Sequence, residues 1–208
     1  MSIMNIMEDE RDIDFLYEVG CFRFIERTWK HVFHANLENN AEHVFRVAWI
    51  ALALARHEGI VDHGKILKMV LVHDFGESRT GDVNYISRLY TKRDEARAIT
   101  DIFQNTVFAD EFPGLWEEYE KRETIEAKIV KDADNLDVDF EIAEQAAQGQ
   151  KLTDTWIRHR KEGVYPKLYT KTARQFFEQI YETNPHHWHL AARNRFTAGD
   201  FKPNDKPE

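Results

Sequence analysis

One cysteine, five prolines and nine glycines in 208 residues rule out several kinds of protein at once. A lone Cys21 excludes an internal disulfide framework, and no charged amino-terminal stretch leads into an apolar one as an export signal would, so the expected location is cytoplasmic. Cys21 itself is expected to be a small buried hydrophobe. Scarce Gly and Pro beside 42% hydrophobic and 31% charged residues describe a helical globular protein rather than a disordered or β-rich one. Long apolar runs are also missing. The longest approach, Val47 to Ala55, falls well short of the roughly 18 residues that cross a bilayer. Positive charge is in deficit, with 28 Lys and Arg against 37 Asp and Glu and a formal charge of -9. That balance argues against a nucleic-acid groove or attraction to an anionic membrane, which need clustered cations. No repeat or linker interrupts the chain, and its length suits a single domain over residues 1–208.

What is present is helical periodicity. Helices are expected over about Asp9–Gly20 and Asn40–Glu58, from a cap at Asp62 through Ile66 and Val70, and over Lys92–Phe108, Leu115–Ala147 and Thr170–Glu182. A further segment runs from Cys21 to about Lys30. The Asn40–Glu58 stretch is apolar nearly all round (Ala41, Val44, Phe45, Ala48, Ala51, Leu52, Ala55), which predicts a central position. The acidic and basic run Trp116–Glu123 reads as a solvated helix face, and the segment after Lys151 carries no motif. Beyond Pro185 periodicity fades; Trp188 and Phe196 are expected to pack on the core, and Lys202–Glu208 to fray.

Ionisable residues that interrupt apolar stripes need partners, because an unpaired buried charge is costly. His43 lies on the most apolar helix, His73 and Asp74 extend the Ile66–Val70 stripe, and Asp134 falls on the line Ala127, Val130, Asp134, Val138. Two imidazoles and two carboxylates on three buried helices form a mixed cage suited to Mn²⁺, Fe²⁺, Co²⁺, Ni²⁺ or Zn²⁺, with Mg²⁺ possible. Spacing alone leaves alternatives open. Neighbouring helical residues project about 100° apart, so His73 pairs more naturally with Glu77 than with Asp74, and Asp132 and Asp137, read as exposed or cap-like, compete with Asp134.

The order Glu42-His43, His73-Asp74, Asp134 resembles the H…HD…D signature of HD-domain metal-dependent phosphohydrolases. More narrowly, four pieces resemble the HD-domain 5'-deoxynucleotidases: Glu38-Asn39-Asn40-Ala41-Glu42-His43, His73-Asp74-Phe75-Gly76-Glu77, Thr80-Gly81-Asp82 and Val130-Lys131-Asp132-Ala133-Asp134-Asn135-Leu136. The motif-bearing core is about 27–148, followed by a carboxy-terminal helix and tail over 151–208. The resemblance implies an all-α, HD/phosphodiesterase-like bundle with one divalent metal held by His43, His73, Asp74 and Asp134. It implies that Glu77 activates or holds the attacking water and that Asp82 handles the proton near the leaving sugar oxygen. It also places Arg27 on the phosphate, and Trp29 is read as covering base or sugar. The implied partner is a small phosphoester, a nucleotide, and the implied assembly a homodimer.

The activity so implied is release of phosphate from deoxyribonucleoside 5'-monophosphates. Rival readings are an HD phosphatase or phosphodiesterase acting on another phosphoester or a nucleotide triphosphate, and a non-catalytic nucleotide-binding module. Local positive charge to offset the acidic surface is expected from the ion with Arg27 or Arg79. His31 and His34, and His186, His187 and His189, are read as surface or packing residues rather than second metal sites. Phe22, Phe24, Phe176, Phe177 and Tyr181 are read as core or dimer contacts.

Overall fold

The computed structural model describes residues 3–190 apart from positions 35 and 61, and side chains over 11–189 with the same two exceptions. Among the described residues the regular structure is helical: α1 (Ile3–Cys21), α2 (Lys30–Phe33), α3 (Asn40–His57), α4 (His63–Val72), α5 (Glu77–Thr80), α6 (Glu95–Phe103), α7 (Phe112–Lys121), α8 (Ile125–Ala147), α9 (Thr153–Gly163), α10 (Lys171–Glu182) and α11 (His187–Leu190). One isolated bridge joins Glu26 to Asn39. No described helix is long and apolar enough to cross a membrane.

Local chemistry sets the helix starts. Asn39 opens α3 with a reciprocal capping box, its side chain accepting from the Ala41 and Glu42 amides while Glu42 accepts from the Asn39 amide. Asp62 caps α4 through the Lys65 amide at 2.9 Å, and Thr170 caps α10 through Ala173 at 3.1 Å. The stretch expected as one helix from Leu115 is two, because Arg122 turns left-handed at φ 55° and Thr124 caps a new start. The helix through Ile99 ends at Phe103, where Asn105 takes φ 61°.

Helices α3 and α8 pack side by side at the centre, with α4 on both, α7 against α4 and α8, and α9 and α10 against α8. The interior is apolar and continuous, from Val47, Ile50 and Leu54 of α3 through Ile66, Met69 and Val70 of α4 to Ile129, Val130 and Leu136 of α8. Helix α1 docks through Phe15, whose ring meets Phe75, Phe103 and Phe108 at centroid distances of 5.4–5.9 Å.

Several expectations change. Helix α3 is central but not covered all round, since Phe45 and Trp49 are 69% and 64% exposed. Cys21 is exposed because it ends α1 on the outer side while its neighbour Phe22 turns inward. Phe24 is exposed, whereas Phe177 is buried. In the run Trp116–Glu123 the charged residues Glu117, Glu120, Lys121 and Glu123 are exposed as expected, while Trp116 and Tyr119 are buried, with the Arg122 guanidinium over the Tyr119 ring. Trp188 is 77% exposed rather than packed, and Phe196 and Lys202–Glu208 lie outside the described residues.

Candidate active site

The His73-Asp74 doublet sits where α4 stops. Val72 is the last helical residue, His73 is the cap, and a turn through Gly76 leads into α5. His73 keeps helical backbone angles (φ -55°, ψ -43°), and donor atoms of both side chains nevertheless reach one point at the end of α4. His73 Nε2 lies 3.4 Å from Asp74 Oδ2; His43 Nε2 lies 3.6 Å from that oxygen and 3.3 Å from Asp134 Oδ1. One donor atom from each of His43, His73, Asp74 and Asp134 falls within 4.8 Å of all the others.

Hydrogen bonds on the far ring nitrogens decide what those four can do. His73 Nδ1 is 2.7 Å from the Val70 carbonyl and His43 Nδ1 is 2.5 Å from Asp137 Oδ2, so both Nδ1 atoms donate and the Nε2 lone pairs face the cluster. Both Nε2 atoms are buried and have no hydrogen-bond partner. Buried unsatisfied nitrogens opposite two carboxylates fit a divalent cation, and the mixed nitrogen and oxygen set suits a borderline ion. Protonation competes for the same place. Burial and Arg27 work against a charge on His43, but Asp134, Asp137 and Glu38 outweigh them and raise its pKa well above the usual histidine range. Burial works to raise Asp74, and His73 with Arg27 overcomes it and holds the carboxylate ionised.

Glu77 does not join the four donors. Asn40 Nδ2 donates to its Oε2 at 2.7 Å, and Arg93 Nη1 donates to its Oε1 at 3.0 Å and to the Gly81 carbonyl at 3.0 Å. Burial, then the charges of Asp74 and Asp82, push the Glu77 carboxyl up to about 8. Asp82 follows Gly81, whose φ of 73° suits glycine, and its Oδ2 accepts from the Thr28 amide at 2.9 Å.

These groups face a cleft of about 280 Å³ lined by Arg27, Trp29, Asp74, Glu77, Asp82, Tyr85, Arg88, Lys131, Asp134 and Asn135, among others. Arg27 is buried, with Nη1 3.2 Å from Asp74 Oδ2. Trp29 is half-buried and held edge-on by Trp156 of α9 at 4.8 Å, which gives the motif-free segment a supporting part. Six of the eight residues singled out from the sequence line the cleft, and the other two, His43 and His73, are buried behind it with their Nε2 atoms beside Asp74 and Asp134. Arg79 is elsewhere, bonded to Glu18 of α1 through two nitrogens at 2.7 and 2.8 Å.

The rivals of Asp134 are occupied. Asp132 accepts from the Tyr169 and Thr170 amides at 2.8 Å, anchoring the start of α10, and Asp137 holds His43; both are buried rather than exposed. Sequence reasoning missed Asn40, Arg93, Asp137 and Lys131 as members of the site. Lys131 and Asn40 stood inside the motifs, whereas Arg93 and Asp137 act through partners 16 and 94 residues away.

A family model described as HD domain matches residues 19–181. The chain belongs to the HD-domain family. It is similar to the Dictyostelium discoideum protein named 5'-deoxynucleotidase HDDC2, 32% identical over 154 residues, covering 67% of this chain and 80% of that one. The human protein of the same name is 28% identical over 170 residues, covering 79% and 78% respectively. Among solved structures, a conserved hypothetical protein from Pyrococcus furiosus superposes with a TM-score of 0.69 at 28% identity, over 82% of this chain and 99% of the other. The all-α, HD-type bundle is therefore the fold of this HD-domain protein.

Proposed function

We propose that this HD-domain protein is a divalent-metal-dependent phosphohydrolase that releases phosphate from deoxyribonucleoside 5'-monophosphates, the activity for which its Dictyostelium and human relatives are named. The observation that carries the reading is the pair of buried, unpartnered Nε2 atoms facing Asp74 and Asp134 at the floor of a cleft with its own acids and cations. His43, His73, Asp74 and Asp134 would hold the ion, which is Mn²⁺, Fe²⁺, Co²⁺, Ni²⁺ or Zn²⁺, with Mg²⁺ allowed. When bound, such an ion neutralises phosphoryl oxygens and makes water acidic enough to attack.

The side chains supply the rest. Arg27 orients the phosphate, and Trp29 covers sugar or base from the cleft wall. Glu77, pinned by Asn40 and Arg93, sets the direction of the attacking water and takes its proton as its carboxylate. The water oxygen forms the new P–O bond, the bond to the 5' oxygen breaks, and Asp82 manages the proton of the departing oxygen. Three cations lining the cleft, Arg27, Arg88 and Lys131, offset an otherwise acidic protein.

Two copies are proposed to pair through the face shared by α1, α3 and α4. Leu16, Val19, Phe45 and Leu71 are exposed along an apolar groove of about 520 Å³ whose lining residues are all hydrophobic. An uncharged surface of that kind matches a second copy of itself. Light scattering on wild type and Phe45→Glu tests this; a monomeric wild type overturns it.

The activity is tested by phosphate release from a panel of nucleotides with Mn²⁺ or Co²⁺, alongside elemental analysis of the protein. Deoxynucleoside monophosphates are expected to turn over and His73→Ala and Asp74→Ala to be inactive. No release above those variants overturns the reading; preference for a triphosphate or a diester reassigns the substrate.

A further inference from the structure

Lys131 stands one turn before Asp134 on α8, and its ammonium nitrogen lies 2.6 Å from Asp134 Oδ2. Asp134 thus divides its oxygens, Oδ1 turned to His43 at 3.3 Å and Oδ2 to Lys131. Arg27 makes the matching contact from a different element, on Asp74 Oδ2 at 3.2 Å. Two cations therefore bracket the two carboxylates, and both line the cleft.

A lysine whose purpose was to hold Asp134 would be redundant in part, because the Tyr119 hydroxyl already approaches the same oxygen at 3.4 Å. Nor is the lysine sealed behind the carboxylate: its side chain keeps 33% of its exposure, and it faces the cleft. Once a divalent ion shares the charge of Asp134, the ammonium has positive charge left for an incoming anion.

We propose that Lys131 is a second phosphate-binding residue, which with Arg27 takes up the dianionic phosphoryl group of a phosphomonoester. The inference rests on the phosphohydrolase reading for its substrate but not for its test. Inorganic phosphate is titrated calorimetrically into metal-loaded wild type, Lys131→Met, Lys131→Gln and Lys131→Arg, with metal content and melting temperature measured on each. Loss of one charge-assisted contact is expected to weaken phosphate binding by about tenfold or more. The KM for nucleotide rises in parallel, metal content stays at the wild-type level, and Lys131→Arg recovers most of the affinity. Three results overturn the proposal: no phosphate binding by wild type, wild-type affinity in Lys131→Met or Lys131→Gln, or a defect that is loss of metal and disappears at saturating metal. If wild type binds phosphate through Lys131 yet hydrolyses no nucleotide, the hydrolase reading falls and Lys131 as an anion anchor stands.

Discussion

Two buried charge clusters share His43, and only one is complete. On its Nδ1 side, Asp137 accepts from His43 and from Arg46, which also donates to Glu38, Glu141 and Glu144. Farther along α8, Asp139 accepts from Arg160 at 2.7–2.8 Å and from the Tyr181 hydroxyl at 2.7 Å. On the Nε2 side, two imidazole nitrogens face carboxylates at 3.3–3.6 Å without a hydrogen bond. Both sides gather charged groups in or near the interior, so charge alone does not mark function. Unfilled bonding capacity does: the closed network holds helices together, and the open one has room for a ligand.

The sharpest way to break this contrast is to compare His73 of the open cluster with Arg160 of the closed pair farther along α8. His73→Gln is expected to abolish hydrolysis, by about 10⁴-fold or more, because phosphate neutralisation and water activation fail together. Its metal-free stability should fall by only about 1 kcal/mol, the net worth of the Nδ1 bond to the Val70 carbonyl, since Nε2 has no hydrogen bond to lose. Arg160→Met should do the reverse, leaving Asp139 charged and uncompensated at a cost of about 3–5 kcal/mol in urea unfolding while the folded fraction keeps its turnover. Equal stability losses in both variants would erase the distinction.

Glu77 carries a proton-linked signature. Glu77→Gln is expected to lower kcat by about 10²–10³-fold. With a folded pKa near 8 against an ordinary 4.5, the native protein binds this proton more tightly than the unfolded chain. That contribution is complete below pH 4.5 and is lost as pH rises through 8. Metal-free wild type should therefore melt progressively below Glu77→Gln between pH 5 and 8, and parallel melting curves would refute the assignment. Smaller again, Asp137→Asn weakens the hold on His43 Nδ1 and should cost about 10–100-fold in metal affinity by chelator competition. Unchanged affinity would make Asp137 a member of the structural network alone.

What could be read from the residues depended on whether the cause was local. The cap at Asp62, the helix starting near Thr170, the central stripe of α3 and the inward line through Asp134 all follow from neighbours within two turns, and the structure keeps them. The break at Arg122 was hidden because its run of polar residues resembles a helix surface, although Tyr119 is buried by contacts with α4 and α8. Helix α9 has few apolar residues to reveal a stripe; it turns inward through Arg160, whose partner Asp139 is 21 residues away. Phe45 and Trp49 signalled burial by type, but apolar character does not say whether the molecule itself supplies the cover. The doublet is the reverse case, since regular spacing argued against it and the structure still brings donor atoms of both side chains to one cluster.

The smallest expected effect is also the one that separates proximity in sequence from membership in the site. Arg79 lies two residues beyond Glu77 and is one of the cations expected to offset the acidic surface locally, but its guanidinium bonds Glu18 on α1 and is absent from the cleft lining. The pair ties α5 to α1 at the surface, where such bridges contribute about 0.2–1 kcal/mol. The hydrogen bond from Arg79 outweighs burial and lowers the Glu18 pKa, so the contribution is present above the ordinary 4.5 and is lost as pH falls through the depressed value. Arg79→Ala should lower urea stability by no more than about 1 kcal/mol at pH 7 and leave kcat and KM within about twofold. A tenfold rise in KM would return Arg79 to the substrate and show that the cleft extends past α5 toward α1.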